Sequence, residues 1–95
     1  MSIFDTERIE KPEKVETCDM LKHGFRLGRR GDIIKTGLYG SVVAIFYPKN
    51  TKFEGKKLRR SLLVYSLGGK KNSIRDVNKY DFETIMVSIE SEQKR

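Results

Sequence analysis

Apolar positions along the chain fall into distinct regimes. Residues 1–11 hold only Met1, Ile3, Phe4 and Ile9 among charged neighbours, with no period, which predicts a mobile arm. Next, Val15, Cys18, Leu21 and Phe25 fall within about 120° of one another at a helical turn of about 100° per residue, so a short amphipathic helix is expected. Pro12 suits its first turn, Glu13 complements the positive end of the helix dipole, and Gly24 suits the position just past its end. From Arg26 onward the pattern changes to strands and turns. Ile33-Ile34 forms a short strand, and Gly37-Leu38-Tyr39-Gly40 forms a tight reversal. Ser41 to Tyr47 is rich in β-branched and aromatic residues and apolar on both faces, as in a strand curling through a barrel core. Pro48, which cannot donate to a ladder, ends it.

Pro48 to Lys57 reads as a polar loop, and Leu58 or Arg59 to Leu67 as another strand. Gly68-Gly69 starts a hairpin, because both central positions of such a turn favour positive φ. Lys71 to Val77 returns as a strand. Asn78 to Asp81 is expected to form one helical or 3₁₀ turn, and Phe82 to Ile89 a last short strand. The expected fold class is mainly β. An acidic N-terminal arm with a short helix (1–25) precedes a five-stranded barrel (26–89), and a frayed tail (90–95) follows. Val42, Val43, Ile45, Leu62, Val64, Ile74, Val77 and Ile85 are the expected core, with Phe46, Tyr47 and Tyr65 as core or barrel wall.

Ninety-five residues make one domain, and a chain this size buries roughly 60–65% of its unfolded surface, too little to enclose a deep substrate pocket as well. Charge sharpens the picture. Residues 1–20 carry six acids and three bases, residues 21–80 fifteen bases and three acids, and residues 81–95 four acids and two bases. The net +7 is thus a +12 middle between ends of −3 and −2. Charge concentrated in this way is the footprint expected of a polyanion binder. No apolar run approaches the ~20 residues of a membrane span, and the start of the chain lacks the apolar core of a secretion signal. The single cysteine, Cys18, fits a reducing compartment, so a cytoplasmic location is expected.

Gly31-Asp32-Ile33-Ile34, followed by Gly37-Leu38-Tyr39-Gly40-Ser41-Val42-Val43-Ala44-Ile45, resembles a KOW motif: a Gly-Asp pair, an apolar strand, a glycine turn, then Gly-x-Val-x-x-Ile. Val77 to Ile85 resembles the closing turn and strand of many SH3-like barrels. Residues 26–88 carry the resemblance, and Tyr39 departs from the basic residue that often precedes the second glycine. What the resemblance implies is an SH3-like barrel that associates with nucleic acid or with transcription and translation machinery, as in KOW-containing elongation factors, ribosomal proteins and phage proteins of the MotB type. The short basic chain with acidic flanks is also similar to phage accessory proteins.

Candidate nucleic-acid contacts follow from the clusters of basic residues. Lys49, Lys52, Lys56, Lys57, Arg59 and Arg60 lie in or beside one loop, Lys70 and Lys71 at the hairpin tip, and Arg29 and Arg30, with Arg26, before the first barrel strand. Arginine offers phosphate a planar fork and lysine a point charge. Tyr39 and Phe53 interleave with them and could stack on bases, although Phe53 could equally fold back over the barrel end. Catalysis finds little to work with. Cys18 is expected to be a packed small hydrophobe and His23 an exposed residue near a helix end, with no Cys/His spacing of a zinc site. Asp76, Asp81 and Glu83 read as turn residues. The expected function is non-enzymatic, largely sequence-tolerant binding of DNA or RNA without a cofactor. The alternative is a protein-interaction module that docks on a host or partner protein, motivated by the acidic arm.

Overall fold

The computed structural model describes residues 13–94. The arm expected over 1–11 lies outside them. Among the described residues the elements in order are helix α1 (Thr17–Lys22), strands β1 (Arg26–Leu27), β2 (Ile33–Thr36), β3 (Val42–Tyr47), β4 (Lys52–Phe53), β5 (Lys56–Lys57), β6 (Leu62–Leu67) and β7 (Lys70–Arg75), and helix α2 (Lys79–Gln93). Strands β1-β2-β3-β6-β7 form one antiparallel sheet in that order, and β4-β5 form a separate two-stranded ribbon in the β3–β6 connection.

α1 is short but well terminated. The Glu16 amide donates to the Asp19 carboxylate at 2.9 Å, closing the N-terminal turn. At the other end the Phe25 amide donates to the Met20 carbonyl and the Gly24 amide to that of Leu21, the two bonds of a Schellman turn. This turn needs a left-handed residue, and Gly24 supplies it at φ +83. Met20 and Phe25, at the positions whose contact accompanies the motif, are both buried. The expected stripe is only half right, because Cys18 and Leu21 are exposed.

The largest correction concerns residues 78–93. They form neither a 3₁₀ turn nor a closing strand, and residues 90–93 are helix rather than frayed tail. Asn78 caps the helix, its side-chain oxygen accepting from the Asp81 amide at 2.7 Å. Phe82, Met86 and Ile89 recur at i, i+4 and i+7 and are fully buried, with Ile85 packed beside them. The β-branched residues of this segment point to a strand by composition, but their spacing is helical. Thr84 and Ser88 turn their hydroxyls back onto the carbonyls of Tyr80 and Thr84, which satisfies them within the helix.

With its last element helical, the sheet stays open rather than closing into a barrel; β1 and β7 are its two edges. Its faces separate by register. Ile33, Phe46, Leu63 and Ile74 line up across four strands on the face covered by α2. Ile34, Ile45, Val64 and Ser73 line up on the opposite, outer face. Lys35 pairs with Ala44 while Thr36 pairs with Val42, so Val43 is the extra residue of a bulge, and Val43 and Ala44 are consecutively buried.

The core is therefore Met20, Phe25, Ile33, Val43, Ala44, Phe46, Leu63, Val77, Phe82, Met86 and Ile89. Of the expected core only Val43 and Val77 are buried; Val42 is half exposed, and Ile45, Leu62, Val64, Ile74 and Ile85 are partly covered. Residues 13–15 tie the N-terminal side to α2: the Lys79 amide donates to the Glu13 carbonyl, and its ammonium group sits 3.1 Å from the Glu13 carboxylate. Asp19 lies 3.9 Å from the same ammonium. Glu13 and Asp19 thus serve local structure.

Candidate nucleic-acid interface

The outer face of the sheet carries the candidate site. Register places Tyr47, Leu62 and Arg75 in one cross-strand row, Ile45, Val64 and Ser73 in the next, and Ser66 beside Lys71 in a third. Because α2 covers only the inner face, this apolar floor is roofed in part by the β4–β5 ribbon. Phe53, on β4, sets its ring edge-on to Tyr47 with centroids 4.8 Å apart. It is half-buried and folds back over the sheet against Tyr47.

Four grooves border Phe53. One, of about 440 Å³, is lined by Lys56, Lys57, Arg59, Arg60 and Arg75, with Leu58 and Leu62 as its apolar part. Another, of about 370 Å³, runs along Leu62 and Val64 to Lys71, Ser73 and Arg75. The third, of similar size, continues over Ile45, Val64 and Tyr47 to Val42 and Glu54. The fourth, of about 250 Å³, holds Arg30, Asp32, Tyr47, Thr51, Lys52 and Glu54. Together they gather eight bases and two carboxylates.

Of the residues expected to bind nucleic acid, Arg30, Lys52, Phe53, Lys56, Lys57, Arg59, Arg60 and Lys71 thus share this face. Arg29, Lys70 and Tyr39 are exposed but line none of these grooves, and Tyr39, 92% exposed, stands at the β2–β3 tip. Lys49 lines a different groove near α1, with Lys14, Glu16 and Asp76. Arg75 was not singled out from sequence; its pairing with Leu62 places it in the main groove.

Two features of the ribbon run against its own stability. Lys52 lies directly across from Lys57, a like-charge pairing that opposes strand association. Glu54 and Gly55 form the two-residue turn, both at positive φ (54 and 83), and Glu54 has the side chain less suited to that conformation. Burial, with Asp32 and Glu54 nearby, pushes the Tyr47 hydroxyl above its ordinary range, so Tyr47 offers a protonated hydroxyl at neutral pH.

Other candidate chemistry is absorbed by structure. His23 is not exposed: its Nδ1 lies 2.9 Å from Glu90 and its Nε2 3.0 Å from Glu83, with its ring edge on Phe82. Burial lowers its pKa, but Glu90 and Glu83 outweigh this and the net shift is upward. Glu90 is correspondingly lowered; its burial is outweighed by His23 and Lys35. This cluster links the end of α1 to α2. Cys18 is not packed but exposed, its thiol 3.9 Å from the Glu16 carboxylate. Asp76, Asp81 and Glu83 serve three separate tasks: pairing with Lys14 and Arg60, accepting from the side-chain amide of the Asn78 cap at 3.2 Å, and holding His23. No helix among the described residues is long and apolar enough to cross a membrane.

No protein-family model, curated protein or solved structure matches this chain.

Proposed function

We propose that this chain is a non-catalytic nucleic-acid-binding domain that holds its ligand on the outer face of the sheet. The observation that carries this reading is the groove beside Phe53 lined by five bases, Lys56, Lys57, Arg59, Arg60 and Arg75, of which Arg60 is paired with Asp76 at 3.6 Å. A surface that concentrates cations over apolar floor suits a polyanion with apolar parts. Binding through phosphate is sequence-tolerant, because phosphates carry no base identity. The KOW-like pattern of residues 31–45 supports the same ligand class, and an SH3-like relationship belongs to this proposal. The single cysteine fits a cytoplasmic setting.

The test is affinity for short DNA and RNA as a function of salt. If about four phosphates are neutralised, log affinity falls against log salt with a slope of about −3 on single strands and about −3.6 on duplex DNA. Lys57→Ala and Arg59→Ala should each reduce the slope by about 0.7–1 and weaken all sequences alike. Absence of binding to any DNA or RNA at about 50 mM salt, where phosphate contacts are strong, refutes the proposal.

One observation favours the alternative of a protein-binding module. Leu38 and Tyr39 are 70% and 92% exposed at one tip, next to half-exposed Val42. An apolar tip of this kind suits a protein surface. Recovery of one partner from a cell extract, lost on Leu38→Ser with Tyr39→Ser, supports it.

A further inference from the structure

The grooves that meet at Phe53 differ in chemistry, and the difference narrows the ligand. On the Lys56–Arg60 side the lining is five bases, and the nearby carboxylate of Asp76 lies outside the groove, 3.6 Å from Arg60. That groove suits a phosphate. In the groove of Tyr47 and Lys52, Arg30 and Lys52 are balanced by Asp32 and Glu54, and Tyr47 adds a hydroxyl. Its field is near neutral, so it offers a phosphate little; instead it mixes donors and acceptors, as the edge of a nucleobase does. Between them stands the half-exposed Phe53 ring, braced by Tyr47 at 4.8 Å. Anion, aromatic face and mixed hydrogen-bonding edge, in that order, are the parts of one nucleotide.

Resting on the nucleic-acid reading above, we propose that the ligand is an unpaired strand. Its phosphates follow Lys56 to Arg60 and Arg75, and one base lodges against Phe53 with its edge toward Tyr47, Asp32 and Glu54. A duplex cannot use this arrangement. Its base faces are stacked inside the helix, so it can present only phosphate and groove edges to the protein, and Phe53 with the apolar floor of Ile45, Leu62 and Val64 would face water or backbone. An unpaired strand has free base faces, and stacking on aromatic side chains is the main sequence-tolerant contact available to it. Asp32 and Glu54 repel phosphate locally but accept from imino and amino groups, which fixes the side of the strand that turns inward.

The experiment compares a labelled single-stranded oligonucleotide of eight or more nucleotides with the duplex of the same sequence, at one salt concentration, by fluorescence anisotropy. The single strand is expected to bind tighter. Phe53→Ala should weaken it by about fivefold to a hundredfold while leaving duplex affinity within about twofold. Phe53→Leu keeps apolar cover on the sheet and removes the aromatic face; it should reproduce most of the loss with unchanged circular dichroism, which separates stacking from unfolding. Equal binding of the two forms, or Phe53→Leu binding the single strand like wild type, overturns the proposal and leaves phosphate-driven binding standing. Binding to neither form at about 50 mM salt refutes the nucleic-acid reading itself.

Discussion

Glu54 occupies a conformation that its side chain disfavours, and replacing it gives a measurable prediction. The β4–β5 turn has two residues between paired Phe53 and Lys56, and both sit at positive φ, 54 at Glu54 and 83 at Gly55. Asn-Gly is the sequence best suited to such a turn, because asparagine tolerates the left-handed region through local hydrogen bonding. A non-glycine L-residue there costs roughly 1–2 kcal/mol. Glu54→Asn relieves part of that strain. The lost attraction between the carboxylate and nearby lysines is screened at the surface and cancels only a fraction of the gain. The expected net stabilisation is about 0.5–1 kcal/mol, or about 2–8 °C in melting temperature for a domain of this size. Thermal unfolding by circular dichroism reads it out. Glu54→Gln is the control: it removes the charge and keeps the strain, so it should not stabilise through the backbone. If Glu54→Gln stabilises as much as Glu54→Asn, charge rather than backbone governs this turn. If Glu54→Asn lowers the melting temperature, the strain argument fails.

Two further outcomes follow from the core and its flanking ion pairs. Phe82→Ala should cost about 3–5 kcal/mol, whereas Val87→Ala, at a position 62% exposed, should change stability by less than about 0.5 kcal/mol, and urea unfolding of both variants checks the helical phase of α2 against a strand reading in which Val87 would share the buried face of Ile85 and Ile89. The His23 cluster predicts a pH window. A raised His23 contributes fully below its ordinary value of 6.5 and loses that contribution as pH rises through its folded value, while a lowered Glu90 contributes fully above 4.5 and loses it as pH falls through its folded value. Support from this cluster is therefore greatest between pH 4.5 and 6.5, and the stability difference between wild type and His23→Gln should shrink above that range; a difference that grows with pH refutes the sign.

Much of the sheet was legible because its signals are local. The β-branched run ending at Pro48, the Gly68-Gly69 turn and the Gly24 cap each specify their geometry within a few residues. α2 was not, because its composition and its periodicity disagree. Thr84, Ile85, Val87 and Ile89 favour a strand by type, while Phe82, Ile85, Met86 and Ile89 favour a helix by spacing, and burial against the sheet decided for the helix. Without α2 nothing distinguishes the covered face of the sheet from the uncovered one, so Ile45, Leu62 and Val64 read as core while Phe82, Met86 and Ile89 went unrecognised. Loop bases between Lys52 and Arg60 are exposed wherever the ribbon goes, but Arg75 entered only through cross-strand register.

The two apolar faces of β3 and β6 also bear on why the ribbon exists. Phe46 and Leu63 point to α2 and account for the core, whereas Ile45 and Val64 point away from it. A small domain gains stability by covering such residues, and Phe53 covers some of them. A ribbon serving that purpose alone would be better built without Lys52 opposite Lys57 and with asparagine in place of Glu54. Both features cost stability in the free chain, and on the function proposed above an anion lying over Lys56 to Arg60 would offset the charge repulsion. The ribbon is therefore easier to understand as part of a binding surface that also covers the sheet than as a cover alone.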